Sequence, residues 1–395
     1  MFTVNRRLLF VGVSTMQHHA GQHKLYFLAD ALGRRGWPTT VLVPDFEENR
    51  VFLRDRPWIE ALFYPHGNGL TDAWQKSRVL REDRWSAIWL VGVGLRSFLY
   101  RGNKYKHIPL IKDFDEFPSM MSHLGRWRRL YLRAIERAMI AQADGFTCAS
   151  ALIEGLIRRQ RPGLAGRLCR LAVAISEDEH RVDPAVVARL RRADAGRPTL
   201  LYVGSMNRFY EEQIDELIGL ARVLHCRGLP ARVRLLGGGP ELDHFKDRAA
   251  RAGLGGAIEF AGHIPREELA SHMDAAQVLI FPFPANPFNL SRCPTKAYHY
   301  AAANRPVVTN RVGEVAALFG EKAWYYPERD VEAFADCCLN ALAQGAAFDN
   351  GIPFAGLTWK SRAGQFSQWL LRHGWLPEGA PMEAEPAGAG RAAGG

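Results

Sequence analysis

Between residues 289 and 308 the chain reads NLSRCPTKAYHYAAANRPVV. The chemistry open to this order of residue types is the holding of a diphosphate. Pro294 suits the first turn of a helix, where its missing N–H costs nothing. Asn304 can take the left-handed conformation that ends a helix, and Pro306 forbids continuation. The expected helix therefore opens with free N–H groups and the positive end of its dipole, with Lys296 one turn in. Positions 296, 299, 300 and 303 share one face. Tyr300 is read as a core residue. His299 is read as either a satisfied, partly buried histidine or a ligand contact.

Other constellations are of the same kind. The stretch 204–208, GSMNR, follows a strand-like run; its small residues leave room for a pyrophosphate, and Arg208 can pair with one. The stretch 237–241, GGGPE, also follows a strand-like run, and its glycines permit tight turning and close backbone approach. It is not a GxGxxG dinucleotide fingerprint, and no acidic residue stands where a ribose would need one. His18, His19 and His23 follow the first strand-like run and are assigned to substrate hydroxyls; only His19 and His23 share a helical face, and no third metal ligand joins that pair. Asp113, Asp115 and Glu116 follow the run 108–112; acids there bind sugar hydroxyls or serve as a base, the alternative being helix capping. No GxSxG, Walker A or HExxH sequence occurs, which removes the serine-hydrolase, P-loop and zincin classes.

The elements that must position these groups alternate. Buried-strand runs lie at 8–13, 39–43, 87–93, 108–112, 145–149 and 168–173, and a second series at 199–203, 232–236, 258–260, 278–282, 306–309 and 324–326. Amphipathic helical stretches separate them, among them 21–35, 211–227, 241–252 and 266–275. This is the pattern of doubly wound α/β domains. A charged seam before Pro198 divides the two series. The expected organisation is a first Rossmann-like domain at 1–180, a linker at 181–197, a second at 198–357, a terminal helix at 358–375 and a disordered tail at 376–395. Ligands of such domains bind at the carboxyl ends of the strands.

The 395 residues carry a formal net charge of +10 and no apolar run of membrane-spanning length. Six cysteines without metal-like spacing suit a reduced, cytoplasmic chain. The segment 126–133, RWRRLYLR, with Arg137 beyond it, suits a helix lying on an anionic membrane surface. The alternative is a solvated face with Trp127, Leu130 and Ala134 turned to the core. No nucleic-acid module is present, so nucleic acid is not an expected partner.

Together the pieces resemble the GT-B glycosyltransferases, most closely the family 4 group. The resemblance is carried by LLGGGPE at 235–241, IEFAGHIP at 258–265, VLIFP at 278–282 and the block PTKAYHYAAANRPVV at 294–308, in family order and spacing. The first half is similar more loosely, through Gly36, VLVP at 41–44 and ADGF at 143–146, and the segment 358–371 resembles the helix that crosses back onto the first domain. The fold implied is α/β, with two Rossmann-like domains facing across a cleft. The activity implied is transfer of a sugar from a nucleotide-sugar donor to a saccharide or lipid-linked acceptor, with no metal and no cofactor beyond the donor, and with retention of configuration. Lys296 and Arg208 would hold the diphosphate, and Asp115 or Glu116 would be the base in an inverting reaction. Donor contacts would come from Gly204, Asn207, Gly238, His263, Ile264, Ser291, Thr295 and His299, and acceptor contacts from His18, His19, His23 and Glu116. Two departures stand out. The family's paired glutamates fall at Ser291 and His299, and its lysine just beyond Arg208 is missing, with Glu211 and Glu212 in that region. The alternative reading is therefore an inactive relative that binds a nucleotide or a partner.

Overall fold

The structure is a computed structural model that describes residues 6–15, 20–99, 105–345 and 348–376. His18, His19 and residues 377–395 of the expected tail lie outside the described residues. Thirteen strands are described: β1 Arg7–Val11, β2 Thr39–Pro44, β3 Ile59–Tyr64, β4 Trp85–Leu90, β5 Leu110–Phe114, β6 Gly145–Cys148, β7 Leu168–Arg170, β8 Thr199–Val203, β9 Arg232–Leu236, β10 Ile258–Gly262, β11 Val278–Phe281, β12 Val307–Thr309 and β13 Trp324–Tyr325. They form a seven-stranded sheet of order β3-β2-β1-β4-β5-β6-β7 and a six-stranded sheet of order β10-β9-β8-β11-β12-β13. The recorded pairings are parallel, with Leu9 opposite Thr40 in the first sheet and Leu201 opposite Arg234 in the second. This is the doubly wound α/β architecture that the alternating pattern predicts.

β3 was not among the expected strands. It pairs with β2 alone at the edge of its sheet, and its inner residues are only partly buried. An edge strand of sequence IEALFY shows neither a continuous apolar run nor strict alternation, so periodicity does not reveal it.

The chain divides into two compact units. Of the described residues, one holds those within 1–112, 143–145 and 367–376, the other those within 113–142 and 146–366. The boundary does not fall at the charged seam. In the second unit β6 and β7 are tied to later elements: Ser150 Oγ donates to the Ser291 carbonyl at 2.7 Å, and Arg170 pairs with Glu314 at 2.8 Å. Within the seam, residues Pro184–Ala193 form a helix capped by the Asp183 side chain, and the Asp183 amide donates to Ser271 Oγ.

The core of the second unit is built from the inner faces of β8, β9 and β11, including Leu200, Leu201, Val233, Leu235, Leu279 and Ile280, all essentially inaccessible. In the first unit Leu9, Phe10, Val41 and Trp89 play that part. The terminal helix Trp359–Arg372 is present, and its end brings Trp369 and Trp375 against Gly145. A side chain at Gly145 would collide with the Trp375 ring.

Candidate functional site

In the second sheet the strand order reverses direction between β8 and β11, which are hydrogen-bonded neighbours. Loops leaving the carboxyl ends of such a pair diverge and open a crevice. The loop after β8 holds Gly204, Asn207 and Arg208, and the chain after β11 leads to Lys296. The two stretches singled out for phosphate chemistry thus flank one topological switch point.

The helix carrying Lys296 runs Thr295–Ala303, with Pro294 at its N-cap and Asn304 left-handed at its C-cap (φ 50°). Tyr300 is fully buried and its hydroxyl accepts from the Val203 amide at 2.9 Å, which makes it the core residue expected. Thr295 opens the helix, and His299 is partly exposed.

The Lys296 ammonium lies 4.3 Å from the centroid of the Tyr202 ring, 4.7 Å from that of Phe281 and 5.6 Å from that of Tyr210. It donates to the Tyr202 hydroxyl at 3.1 Å. Among the described residues no carboxylate pairs with it. Burial holds this ammonium well below the ordinary lysine range, and the Arg292 guanidinium lowers it further. Arg292 was not singled out from the sequence. Its Nε donates to Asn289 Oδ1 at 2.9 Å and its Nη1 to the Tyr210 hydroxyl at 3.3 Å.

Arg208 is placed differently. Its side chain is 84% exposed and its Nε stands 3.2 Å from Glu241 Oε1. It lines, with His123, Phe209, Glu212, Phe288 and Asn289, a cavity of about 340 Å³. Phe209 and Phe288 also lie beneath Arg292, at 5.8 and 5.2 Å. The cavity and the cation pair therefore share two aromatic walls.

The glycine turns are packed against one another. Gly237 has φ 129°, and a Cβ there would fall on the Gly204 carbonyl. A Cβ on Gly204 would fall on the Tyr202 phenol. Gly204 thus makes room for the ring beneath Lys296. The Gly238 carbonyl accepts from the Met206 amide at 2.9 Å, and Asn207 caps the short turn Arg208–Tyr210 by accepting from the Phe209 amide at 3.0 Å. His263 is exposed and Ile264 partly buried after β10.

Ser291 is fully buried, and its hydroxyl donates to the Phe288 carbonyl at 2.8 Å. Asp115 and Glu116 follow β5 and are partly buried. Burial, and then the neighbouring Asp115, push the Glu116 carboxyl up to about 7, against an opposing pull from Arg292. His23 lies in the helix Ala20–Gly33 of the first unit, its ring 5.9 Å from Phe27.

The helix Arg126–Gln142 does not turn its aromatic face inward. Trp127 is 75% exposed and Leu130 and Tyr131 are each 48% exposed, while the buried residues are Ile135, Glu136, Met139 and Ile140. Ala134 is exposed as well. The core-facing alternative for Trp127, Leu130 and Ala134 is thereby corrected. The helix packs only through its second half, whose apolar spacing resumes at Ile135. Among the described residues no helix is long and apolar enough to cross a membrane, and no group of three His, Cys, Asp or Glu side chains is placed to hold a metal ion.

Comparison with known proteins bears on the fold and the second half of the chain. Residues 197–344 match the family described as glycosyl transferases group 1. A D-inositol 3-phosphate glycosyltransferase of Corynebacterium urealyticum is 30% identical over 199 residues, which are 47% of this chain and 46% of that protein. The chain thus spans under half the length of this curated relative. The crystal structure of the Anabaena protein HepE in complex with UDP is similar at a TM-score of 0.71 and 13% identity, over 93% of this chain and all of that one. Sucrose-phosphate synthase from Thermosynechococcus elongatus is similar at a TM-score of 0.70 and 18% identity, over 93% and 99%. WaaG, a glycosyltransferase involved in lipopolysaccharide biosynthesis, is similar at 0.60 and 16%, over 91% and 95%.

Proposed function

We propose, from a GT-B fold and a match of residues 197–344 to the glycosyl transferases group 1 family, that this protein transfers a sugar from a nucleotide-sugar donor to a saccharide or lipid-linked acceptor in cell-surface glycan synthesis. The observation that carries the reading is Lys296: an ammonium without a carboxylate partner among the described residues, one turn into a helix, beside the β8–β11 switch point. As the bond between sugar and diphosphate breaks, negative charge grows on the departing phosphate. A fixed cation and free helix amides stabilise that charge more than the ground state. These groups do without a metal what a metal does elsewhere.

In this reading the second half of the chain binds the donor. The loop at Gly204–Arg208 and the glycine turn at Gly238 approach the phosphates, and the backbone near His263 and Ile264 meets the base. Thr295 and His299 lie on the same helix as Lys296. The first half binds the acceptor, with His23 in its first helix. The expected outcome is retention; in an inverting reaction Glu116, raised to about 7, would be matched to proton abstraction near neutral pH. The neighbour HepE binds UDP, which makes UDP-sugars the first donors to test. The exposed basic face at Arg126–Tyr131 suits peripheral attachment to the inner, anionic face of a cytoplasmic membrane.

One observation favours the inactive alternative. Ser291, where the family often has a glutamate, is sealed in the core with its hydroxyl engaged on Phe288. A thermal-shift screen against UDP, GDP and ADP, followed by turnover of the matching nucleotide sugars, separates the two. Diphosphate binding together with transfer that Lys296→Ala abolishes supports the proposal. Binding without hydrolysis or transfer across the donor panel supports the alternative, and undiminished turnover in Lys296→Ala removes Lys296 from the reaction.

A further inference from the structure

We infer that Arg292, rather than Arg208, is the second cation of the diphosphate site, acting with Lys296 as a two-point clamp. This rests on the donor-binding reading above and assigns the partner that Lys296 lacks.

The two cations stand four residues apart, one just before the helix Thr295–Ala303 and one inside its first turn. Arg292 bonds only to neutral oxygens, those of Asn289 and Tyr210, at 2.9 and 3.3 Å. Among the described residues it has no ion pair, and neither has Lys296. Phe283, Phe288, Tyr210 and Phe209 surround its guanidinium at 5.2 to 5.8 Å, and Tyr210 also faces the Lys296 ammonium at 5.6 Å. Two like charges held among aromatic rings, with no carboxylate paired to either, repel each other; Glu116 lies near enough to Arg292 to be drawn down by it but forms no ion pair with it. Desolvation makes that repulsion stronger. An anion bridging them relieves both costs. Arginine presents a planar fork that matches two phosphate oxygens, whereas the lysine supplies a point charge.

Arg208 lacks these properties. Its guanidinium is open to water and already faces Glu241 at 3.2 Å. An exposed pair of that kind is screened and contributes little to holding a ligand. The lysine that the family places just beyond Arg208 is absent, and the buried residue on that turn, Gln213, accepts from the Tyr202 hydroxyl instead. The charge missing from this turn is supplied by the loop that carries Arg292.

The test measures affinity for UDP and UMP by calorimetry in the wild type, Arg292→Gln, Arg292→Lys and Arg208→Gln, with GDP/GMP or ADP/AMP in their place if the screen selects another base. Arg292→Gln is expected to weaken diphosphate binding by about 10- to 100-fold, the range for a lost charge-assisted contact, while changing monophosphate binding by less than about threefold. Arg292→Lys keeps the charge and recovers part of the loss. Arg208→Gln loses less than Arg292→Gln. If Arg292→Gln does not melt cooperatively, Arg292→Lys decides: a selective loss for the diphosphate supports the clamp. Equal losses for diphosphate and monophosphate, or a larger loss in Arg208→Gln, overturn the inference and leave the donor reading standing. Failure of the wild type to bind any of the three diphosphates overturns both.

Discussion

The Lys296 ammonium donates to the Tyr202 hydroxyl, and that hydroxyl donates in turn to Gln213 Oε1 at 3.2 Å. The relay joins a helix after β11 to a strand and a helix on the other side of the switch point. It holds the ammonium over the Tyr202 ring without neutralising it. Cation–π contact and one neutral hydrogen bond fix the position of the amine; burial and Arg292 weaken its hold on the proton, and an anion bound beside it favours the charged form again.

This placement depends on a missing methyl group. Gly204→Ala sets a Cβ on the Tyr202 phenol, which is fully buried. The overlap is expected to cost about 1–3 kcal/mol in urea unfolding. Tyr202→Leu removes the phenol, so the double variant should be more stable than the sum of the single losses. Strict additivity would show that the two groups do not meet.

Gly237→Ala tests the backbone instead. With φ at 129° and the Gly204 carbonyl in the way, strain of about 1–3 kcal/mol is expected, accompanied by weakened nucleotide binding because the two turns support each other. A substitution that leaves both unfolding and binding unchanged would contradict the packed-turn account.

Glu116 gives a pH signature. Its folded carboxyl titrates at about 7 against an ordinary 4.5, so the folded state holds a proton that the unfolded chain releases. Its contribution is therefore largest at low pH. The cost of ionising the buried carboxyl is absent below about pH 4.5, grows between pH 4.5 and about 7, and is carried in full above that window; Glu116→Gln never carries it. The variant should gain stability over the wild type as pH rises from 5 to 8, by up to about 3 kcal/mol. A constant difference across that range would place the charge elsewhere.

Lys76 works in the opposite direction, in the first unit. It is fully buried, its ammonium has no hydrogen-bond partner among the described residues, and it lies 5.3 Å from the Tyr64 ring. Burial lowers it to about 7, with Asp72 opposing. Below that pH the folded state carries the full cost of a desolvated charge; as pH rises from 7 toward the ordinary 10.5 the cost fades. Lys76→Met should therefore stabilise most at pH 6 and least at pH 10, with the melting temperature as the measurement. A gain that does not diminish with pH would rule out a titrating Lys76.

The Arg126–Gln142 helix makes a prediction about lipid. About 1 kcal/mol accompanies each basic residue near an anionic surface, so replacing Arg126, Arg128 and Arg129 by Gln should reduce binding to phosphatidylserine vesicles on the order of 100-fold. Trp127→Ala should weaken it further, and high salt should mimic the arginine losses. Equal binding to neutral and anionic vesicles would disprove the electrostatic attachment.

Much of this was legible in the chain itself. Alternation of apolar runs with amphipathic stretches determined two parallel sheets, because a helix between neighbouring strands leaves few other ways to bury both faces. Pro294 and Asn304 bracketed the Lys296 helix, since proline and a left-handed asparagine act within one turn of themselves. The glycine turns after β8 and β9 were visible for the same local reason. What only the tertiary structure decided is which charges remain unpaired. Arg208 meets Glu241, while Arg292, unremarkable between Ser291 and Cys293, is set among Asn289, Tyr210 and three further aromatic rings, Phe209, Phe283 and Phe288. Likewise Trp127, whose spacing fitted a core face, is turned to solvent because packing begins only at Ile135. Backbone preferences act between neighbours and can be read along the chain. Pairing and burial are set by residues far apart in it, so they emerge only when the chain has folded.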